Sequence, residues 1–386
     1  MEKVVLCQCQ DYNLELLKEK INQMIDQLGG IESFIDKDAK VFIKLNCVGP
    51  FDPSMGITTH PIFVQAVIQI VKERTKNIIV GDNPATKDLI YTLKKCGIYD
   101  ILIEEGVQIF DGKKSTIITN PNPVYYSKFE VSEEMIDVDI LINLPKLKTH
   151  SLTYMTVAQK NLFGFIYGLS KAGWHVRANN PLEFGEAIND LYGAIIETFK
   201  DKKILHICDG ILALEGEGPS TGGFPKQANV ILASKDAISL DRVAVEVVGL
   251  NYEKLFMNKI ASQRKYGEGD LNKIQILGTP LVKFADLSFI APKNQFGHIG
   301  LKLLKHKIVR NFVLEHPVIN KEVCIKCGEC VRICPPKTMV MKAKEFPHLS
   351  AKNCIRCWCC AEVCPQNAIQ KSKRPIIGRI AFKNRD

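Results

Sequence analysis

Apolar residues over the first 290 positions follow two alternating patterns, short unbroken runs and longer stretches that repeat every three to four residues. KVVLCQC (3–9), VFIKLN (41–46), NIIVGD (77–82), DILINLP (139–145), KILHICDG (203–210) and NVILAS (229–234) read as strands. Between them, LELLKEKINQMIDQLGG (14–30), a stretch from Pro61 to about Arg74, one from about Thr86, PLEFGEAINDLYGAIIETF (181–199) and DAISLDRVAVEVVGL (236–250) carry helical spacing. This alternation predicts an α/β fold, with a mainly parallel or mixed sheet and flanking helices. The near-continuous apolar run at 139–145 places that strand mid-sheet.

The pattern changes after residue 291. Residues 292–314, PKNQFGHIGLKLLKHKIVRNFVL, read as a basic amphipathic helix, expected as a connector packed on the body rather than a helix lying on a membrane surface. Beyond it the apolar periodicity gives way to cysteines. The runs CIKCGECVRICP (324–335) and CIRCWCCAEVCP (354–365) align without gaps, matching Cys324, Cys327, Cys330 and Cys334 to Cys354, Cys357, Cys360 and Cys364. Each reads C-x2-C-x2-C-x3-C-P, the spacing of two-cluster bacterial ferredoxins, in which the fourth cysteine ligates the other cluster. Two [4Fe-4S] clusters are therefore expected, one on Cys324, Cys327, Cys330 and Cys364, the other on Cys354, Cys357, Cys360 and Cys334. Cys359 aligns with Glu329 and is the surplus thiol. Zinc would call for two C-x2-C pairs without a third cysteine and a trailing C-P. The division expected is an α/β domain at 1–291, the connector at 292–315, a small α+β ferredoxin-like domain at 316–372 and a basic tail at 373–386.

Charge sharpens this division. Residues 292–386 hold 19 Lys and Arg against 6 Asp and Glu, a net +13, while the remainder holds 32 against 36, a net −4. Thiolates bound to iron offset part of the +13. The rest suits a redox partner with an acidic surface, or acidic lipid. No nucleic-acid motif accompanies the basic residues, so nucleic acid is not expected as a partner. No apolar run reaches the roughly 20 residues of a transmembrane helix. MEKVVLCQCQ lacks a long apolar core, and the fourteen cysteines suggest a reducing interior, so a cytoplasmic location is expected.

Candidate ligand-binding chemistry lies just after strands, where open α/β sheets bind ligands. LPKLKTH (144–150) offers Lys146, Lys148, Thr149 and His150, continuing to Lys160 and Asn161. Alternate positions of an extended chain share a face, so Lys146 and Lys148 are placed to hold a carboxylate or phosphate together. EGEGPSTGG (215–223), with Glu215, Gly216 and Gly218, has the glycine content of an anion-binding nest, but no dinucleotide or phosphate-loop spacing. Asp209 and Glu215 flank it as candidate bases or metal ligands. Thr59, His60, Asp82 and Asp241 complete the polar set.

KLNCVGP with ITTHP, LPKLKTHSLTYMTVAQKNLFG and CDGILALEGEGPSTGGFP together resemble the family known as domain of unknown function 362. The resemblance covers roughly residues 1–290 and implies an iron–sulfur protein of anaerobic metabolism. It marks Lys146, Lys148, Thr149, His150, Lys160, Asn161, Asp209, Glu215 and Gly216 as motif positions. Cys47 departs from the aliphatic residue expected there; a buried hydrophobe and an additional ligand are both open. The expected function is ferredoxin-type electron transfer to or from an α/β domain that binds a small anionic substrate or cofactor. The alternatives are a non-enzymatic carrier docking on a partner enzyme, and a factor passing metal or clusters to a client.

Overall fold

The computed structural model describes residues 1–84, 88–167, 173–174, 178, 181–293 and 307–377. Numbered in chain order, the strands of the large body are β1 (Glu2–Gln8), β2 (Val41–Lys44), β3 (Ile78–Gly81), β4 (Gln108–Ile109), β5 (Ser115–Thr119), β6 (Lys128–Ser132), β7 (Ile140–Asn143), β8 (Lys146–His150), β9 (Tyr154–Thr156), β10 (Lys203–Gly216), β11 (Gly223–Ser234) and β12 (Ile274–Gly278). Among the described residues, ten of these form one sheet in the order β12–β1–β11–β10–β7–β2–β3–β4, with β8 paired to β10 and β9 to β8. Strands β10, β7, β2, β3 and β4 run parallel, and β11 is antiparallel to both β10 and β1. The sheet is mixed and mostly parallel, and β5 and β6 form a separate hairpin.

Its centre follows from side-chain chemistry. Every residue of β2, β3 and β7 is buried, as parallel strands covered on both faces require. Alternation then sorts the side chains into two cores. Val5, Val41, Ile43, Ile140 and Ile142 face the helices Leu14–Gln27 and Pro61–Lys72, while Leu6, Phe42 and Leu141 join a core that includes Pro181–Thr198 and Ala237–Val247. The helix Pro61–Lys72 begins where it does because Pro61 occupies a first-turn position and His60 Nδ1 accepts the Ile62 N–H.

The expected strands and helices are present with ends shifted by a few residues; Thr86 lies outside the described residues. The departures are larger just beyond the strands. The polar stretch after residue 145 is not a simple loop but β8, β9 and the short helix Ala158–Asn161, and β8 is wholly buried. Similarly β10 runs on to Gly216, so EGEGPSTGG forms the turn of the β10–β11 hairpin. Of the expected connector helix, Lys307–Val313 is helical and 294–306 lies outside the described residues.

The C-terminal part shows a repeat with an offset of 30 residues. Strands β13 (Pro317–Ile319) and β16 (Ile369–Lys371) pair, as do β14 (Met339–Val340) and β15 (His348–Leu349), each pair taking one strand from each repeat. Left-handed backbone recurs at matched positions, Lys326 and Arg356, Gly328 and Trp358, Lys337 and Asn367. Such residues let a short loop curl around a central object. Among the described residues, no helix is long and apolar enough to cross a membrane.

Candidate anion site and cluster module

The carboxyl ends of β2, β3 and β7 converge, and each delivers a polar residue into a buried setting. Lys44, the last residue of β2, places Nζ 2.6 Å from Asp82 Oδ1, just past β3. Asp82 Oδ2 accepts the Cys47 N–H at 2.8 Å. Asn143, the last residue of β7, accepts from Asn161 Nδ2 at 2.7 Å, and Asn161 Oδ1 accepts from Asn46 Nδ2 at 2.7 Å. Asn46 Oδ1 in turn accepts from Lys148 Nζ at 2.8 Å, and Lys148 also donates to the Ile57 carbonyl at 2.7 Å. Asn161 Nδ2 also donates to the Leu45 carbonyl at 3.3 Å, which accepts from Lys44 Nζ at 2.8 Å, so this chain of amides connects the closed ion pair at Lys44 to a lysine bound only to neutral acceptors.

Lys146 is closed as well. Its Nζ lies 2.6 Å from Asp209 Oδ2, and both side chains are fully buried. Tyr12 donates to Asp209 Oδ1 at 2.8 Å, the His60 N–H donates to Oδ2 at 2.9 Å, and Lys146 donates to the Tyr12 hydroxyl at 3.0 Å. The Tyr12 and His60 rings stack with centroids 3.5 Å apart. Burial pushes His60 down to about 4, so it is neutral here and leaves Asp209 to balance Lys146. Lys146 and Lys148 therefore share a strand face but not a task.

Beside these closed pairs lie Lys148 and His150, almost wholly buried, and the partly buried Lys160. Burial first, then repulsion from Lys160, pushes Lys148 down to about 7. Burial also lowers Lys160, whose Nζ stands 4.8 Å from the Phe163 ring centroid and makes no hydrogen bond among the described residues. His150 Nδ1 accepts the Leu152 N–H at 3.0 Å and the Thr153 N–H at 3.4 Å, which fixes the remaining proton on Nε2. That Nε2 lies 3.9 Å from Oε1 of Glu362, a residue of the C-terminal part whose side chain is 18% exposed. Burial raises the Glu362 carboxyl, opposed by the attraction of Lys160 and then Lys148. The two parts of the chain therefore meet at this group of charges.

The cysteines behind Glu362 fall into two sets. Cys324, Cys327, Cys330 and Cys364 line one hollow with Gly328 and Pro365. Burial first, then the thiols of Cys327, Cys364 and Cys324, push Cys330 up to about 12. Cys360 is raised by burial and then by Cys357, Cys354, Cys330 and Cys334, so the second set lies around it and touches the first. Buried thiols crowded this way ionise only when a cation joins them, the donor chemistry a [4Fe-4S] cluster requires. Cys359 belongs to neither expected ligand set but borders the second, packed with Ile333, Val363 and Cys357 and interacting with the Cys357 thiol.

Residues 316–365 match the family model of a 4Fe-4S dicluster domain, an iron–sulfur electron-transfer module. Residues 41–246 match the model described as Domain of unknown function (DUF362). The chain belongs to the DUF362 family. A thylakoid-associated protein of Synechocystis sp. is 31% identical over 252 residues, which are 65% of this chain and 76% of that protein. A crystal structure of a Thermotoga maritima protein has a TM-score of 0.39 at 14% identity, and the lactate racemase apoprotein from Thermoanaerobacterium thermosaccharolyticum has 0.34 at 13%. They cover 67% and 58% of this chain, which spans 60% and 54% of theirs.

The DUF362 motif residues separate by position. Lys148, His150, Lys160 and Asn161 come together with Asn46 and Thr59, whose hydroxyl accepts the Asn46 N–H at 2.9 Å. Asp209 and Lys146 form the closed pair beside them. Thr149 donates to the Leu214 carbonyl at 3.4 Å. Glu215 and Gly216 lie further along β10: Glu215 Oε2 accepts the Ile290 N–H at 2.8 Å, and the Gly216 N–H donates to the Ile290 carbonyl, also at 2.8 Å. Gly218 packs so tightly on Thr149 that a Cβ there would lie 2.1 Å from its carbonyl oxygen. Asp241 accepts the Ala158 and Gln159 N–H groups and so anchors the helix carrying Lys160. Cys47 is fully buried beside Cys96, and its hydrogen bond with that thiol, then burial, raises it well above the ordinary range. Lys44, Asn46, Asn143 and Glu362 were not singled out from the sequence. A lysine or asparagine closing an otherwise apolar strand, as in VFIK and ILIN, is the signal that marks the first and third.

Gly164 shows how closely the site is packed. A Cβ there would fall 2.4 Å from Lys44 Nζ and 2.7 Å from Asp82 Oδ1, both pinned by their own ion pair. Gly164→Ala is expected to cost about 1–3 kcal/mol in thermal unfolding. A variant as stable as the parent would contradict this packing.

Proposed function

We propose that this chain is an iron–sulfur oxidoreductase in which the dicluster module serves a small anionic substrate or cofactor held by Lys148, Lys160 and His150. The reading rests above all on Glu362, which the cysteine-rich module places against these three groups of the DUF362 domain. Single electrons are what two bound [4Fe-4S] clusters supply. Our ligand assignment is Cys324, Cys327, Cys330 and Cys364 for one cluster and Cys354, Cys357, Cys360 and Cys334 for the other. The protein's own groups do the remaining work. Lys148 and Lys160 bind and charge-balance the anion, and His150 presents an Nε2–H in a fixed direction. Asn46 and Asn161 hold Lys148 on its mark, and Lys146 with Asp209 fixes β8 from behind.

We further propose domains at 1–291 and 316–372 joined by a connector at 292–315 and followed by a basic tail at 373–386, a cytoplasmic location, a role in anaerobic metabolism and a redox partner with an acidic surface. The +13 carried by residues 292–386 supports the partner's sign.

Lys148 provides the test. With its pKa near 7 it is charged below that pH and neutral above. Binding of sulfate, whose own charge stays constant, is expected to weaken as pH rises from about 6 to about 8, approaching tenfold per unit. Anaerobic calorimetry on the iron-loaded chain measures this. Lys148→Met should weaken binding at the lower pH and flatten the profile; unchanged binding would overturn the anion site.

A further inference from the structure

Resting on the anion site just described, we propose that Glu362 is its built-in occupant and that the ligand is a small carboxylate whose carboxylate group takes the place of Glu362. Three observations carry this. The Glu362 side chain comes from the module rather than the sheet, between Cys360 and Cys364, and it reaches a basic site in the other part of the chain. It serves the lysines that lack an ion-pair partner of their own among the described residues: Lys44 has Asp82 at 2.6 Å and Lys146 has Asp209 at 2.6 Å, while Lys148 and Lys160 share the attraction of Glu362, which forms no close ion pair with either. Finally, its contact is loose. The distance to His150 Nε2 is 3.9 Å, and among the described residues neither the Glu362 carboxylate nor the Lys160 ammonium makes a side-chain hydrogen bond.

An enclosed carboxylate without hydrogen bonds is a weak tenant. A free carboxylate is not tethered to the cluster loop, so it can settle against the two ammonium groups in a way that the Glu362 side chain does not. Displacement need not release the module. Glu217 also holds it, through Lys371 Nζ at 2.8 Å, and Thr221 donates to the Cys364 carbonyl at 3.2 Å. Ligand entry is thereby linked to the loop that bears Cys357 and Cys360, and the affinity of the site is set by competition with its own side chain.

The test is acetate binding to the iron-loaded chain under anaerobic conditions, in the parent, Glu362→Asp, Glu362→Gln and Glu362→Gln with Lys160→Met, each checked for equal iron content. Binding should tighten about tenfold or more in Glu362→Gln, since the amide keeps the shape and removes the competing charge. It should change less in Glu362→Asp, and be lost again when Lys160 is also replaced. Equal or weaker acetate binding in Glu362→Gln, alongside a parent that still binds sulfate through Lys148, would overturn the proposal and leave the anion site standing. No anion binding in any variant would overturn both.

Discussion

Replacing Cys364 by serine is expected to remove the same cluster as replacing Cys324, Cys327 or Cys330, and to spare the other. Iron should fall from about eight to about four per chain. The physical reason is the C-x3-C-P spacing: the three close cysteines curl around one centre, while the fourth emerges after a turn of helix. In the structure Cys364 lies with Cys324, Cys327 and Cys330 around one hollow, though more than 30 residues of chain separate it from them. Cys334→Ser should likewise pattern with Cys354, Cys357 and Cys360. Cys359→Ser should leave iron content unchanged, because Cys359 aligns with the non-ligand Glu329 of the other repeat and packs with Ile333, Val363 and Cys357 as a neighbour of the ligands. Iron and sulfide analysis of the purified variants, kept anaerobic, reads the outcome. A Cys364 variant that lost the cluster of Cys354, Cys357 and Cys360 would reverse the assignment.

Asp209→Asn is expected to be the most destabilising single change in the sheet domain. It leaves Lys146 charged and fully buried with only the Tyr12 hydroxyl and an amide for company. Breaking a buried pair from one side costs about 3–5 kcal/mol. In a body of this size that is a fall of roughly 10 °C in Tm. The pH dependence has a definite sign. Burial holds Lys146 below its ordinary pKa despite Asp209, and losing the carboxylate lowers it further. The folded variant then binds fewer protons than the unfolded chain, so the deficit is largest at low pH and shrinks as pH rises toward the lysine range. Thermal unfolding followed at several pH values measures both features. A loss below about 1 kcal/mol would mean that Lys146 finds another partner.

The sequence displays the dicluster module plainly and the proposed anion site only in part, for one physical reason. Cysteine spacing is local: three of the four ligands we propose for each cluster sit within seven residues, and the 30-residue repeat supplies the candidate for the fourth. The strands β2, β3 and β7 are equally legible, because apolar side chains on both faces write themselves as unbroken runs. Strand β8 is the opposite case. Lys146, Lys148 and His150 are almost wholly buried, yet KLKTH has the composition of a solvated loop, so a pattern built on hydrophobic burial reads it backwards. What buries them is distant in the chain: Lys148 meets Asn46 from 102 residues away, and Lys146 meets Asp209 from 63. Glu362 is hidden differently. Within CCAEVC it looks like a solvent-facing residue of the cluster loop, and only the docking of the module on the sheet shows which charges it faces.

Electron delivery depends on that docking, and the charge on Lys160 tests it without any ligand. Lys160 lies near Glu362 and Cys359, beside the loop that holds Cys357 and Cys360. A positive charge there favours the reduced form of a nearby cluster. Potentiometric titration followed by EPR, on the iron-loaded parent and Lys160→Met, should show the cluster on Cys354, Cys357, Cys360 and Cys334 moving to lower potential, with the other moving less. Two clusters indifferent to the loss of Lys160 would mean that the module does not face the DUF362 site in solution, and the proposed delivery of electrons to it would fall.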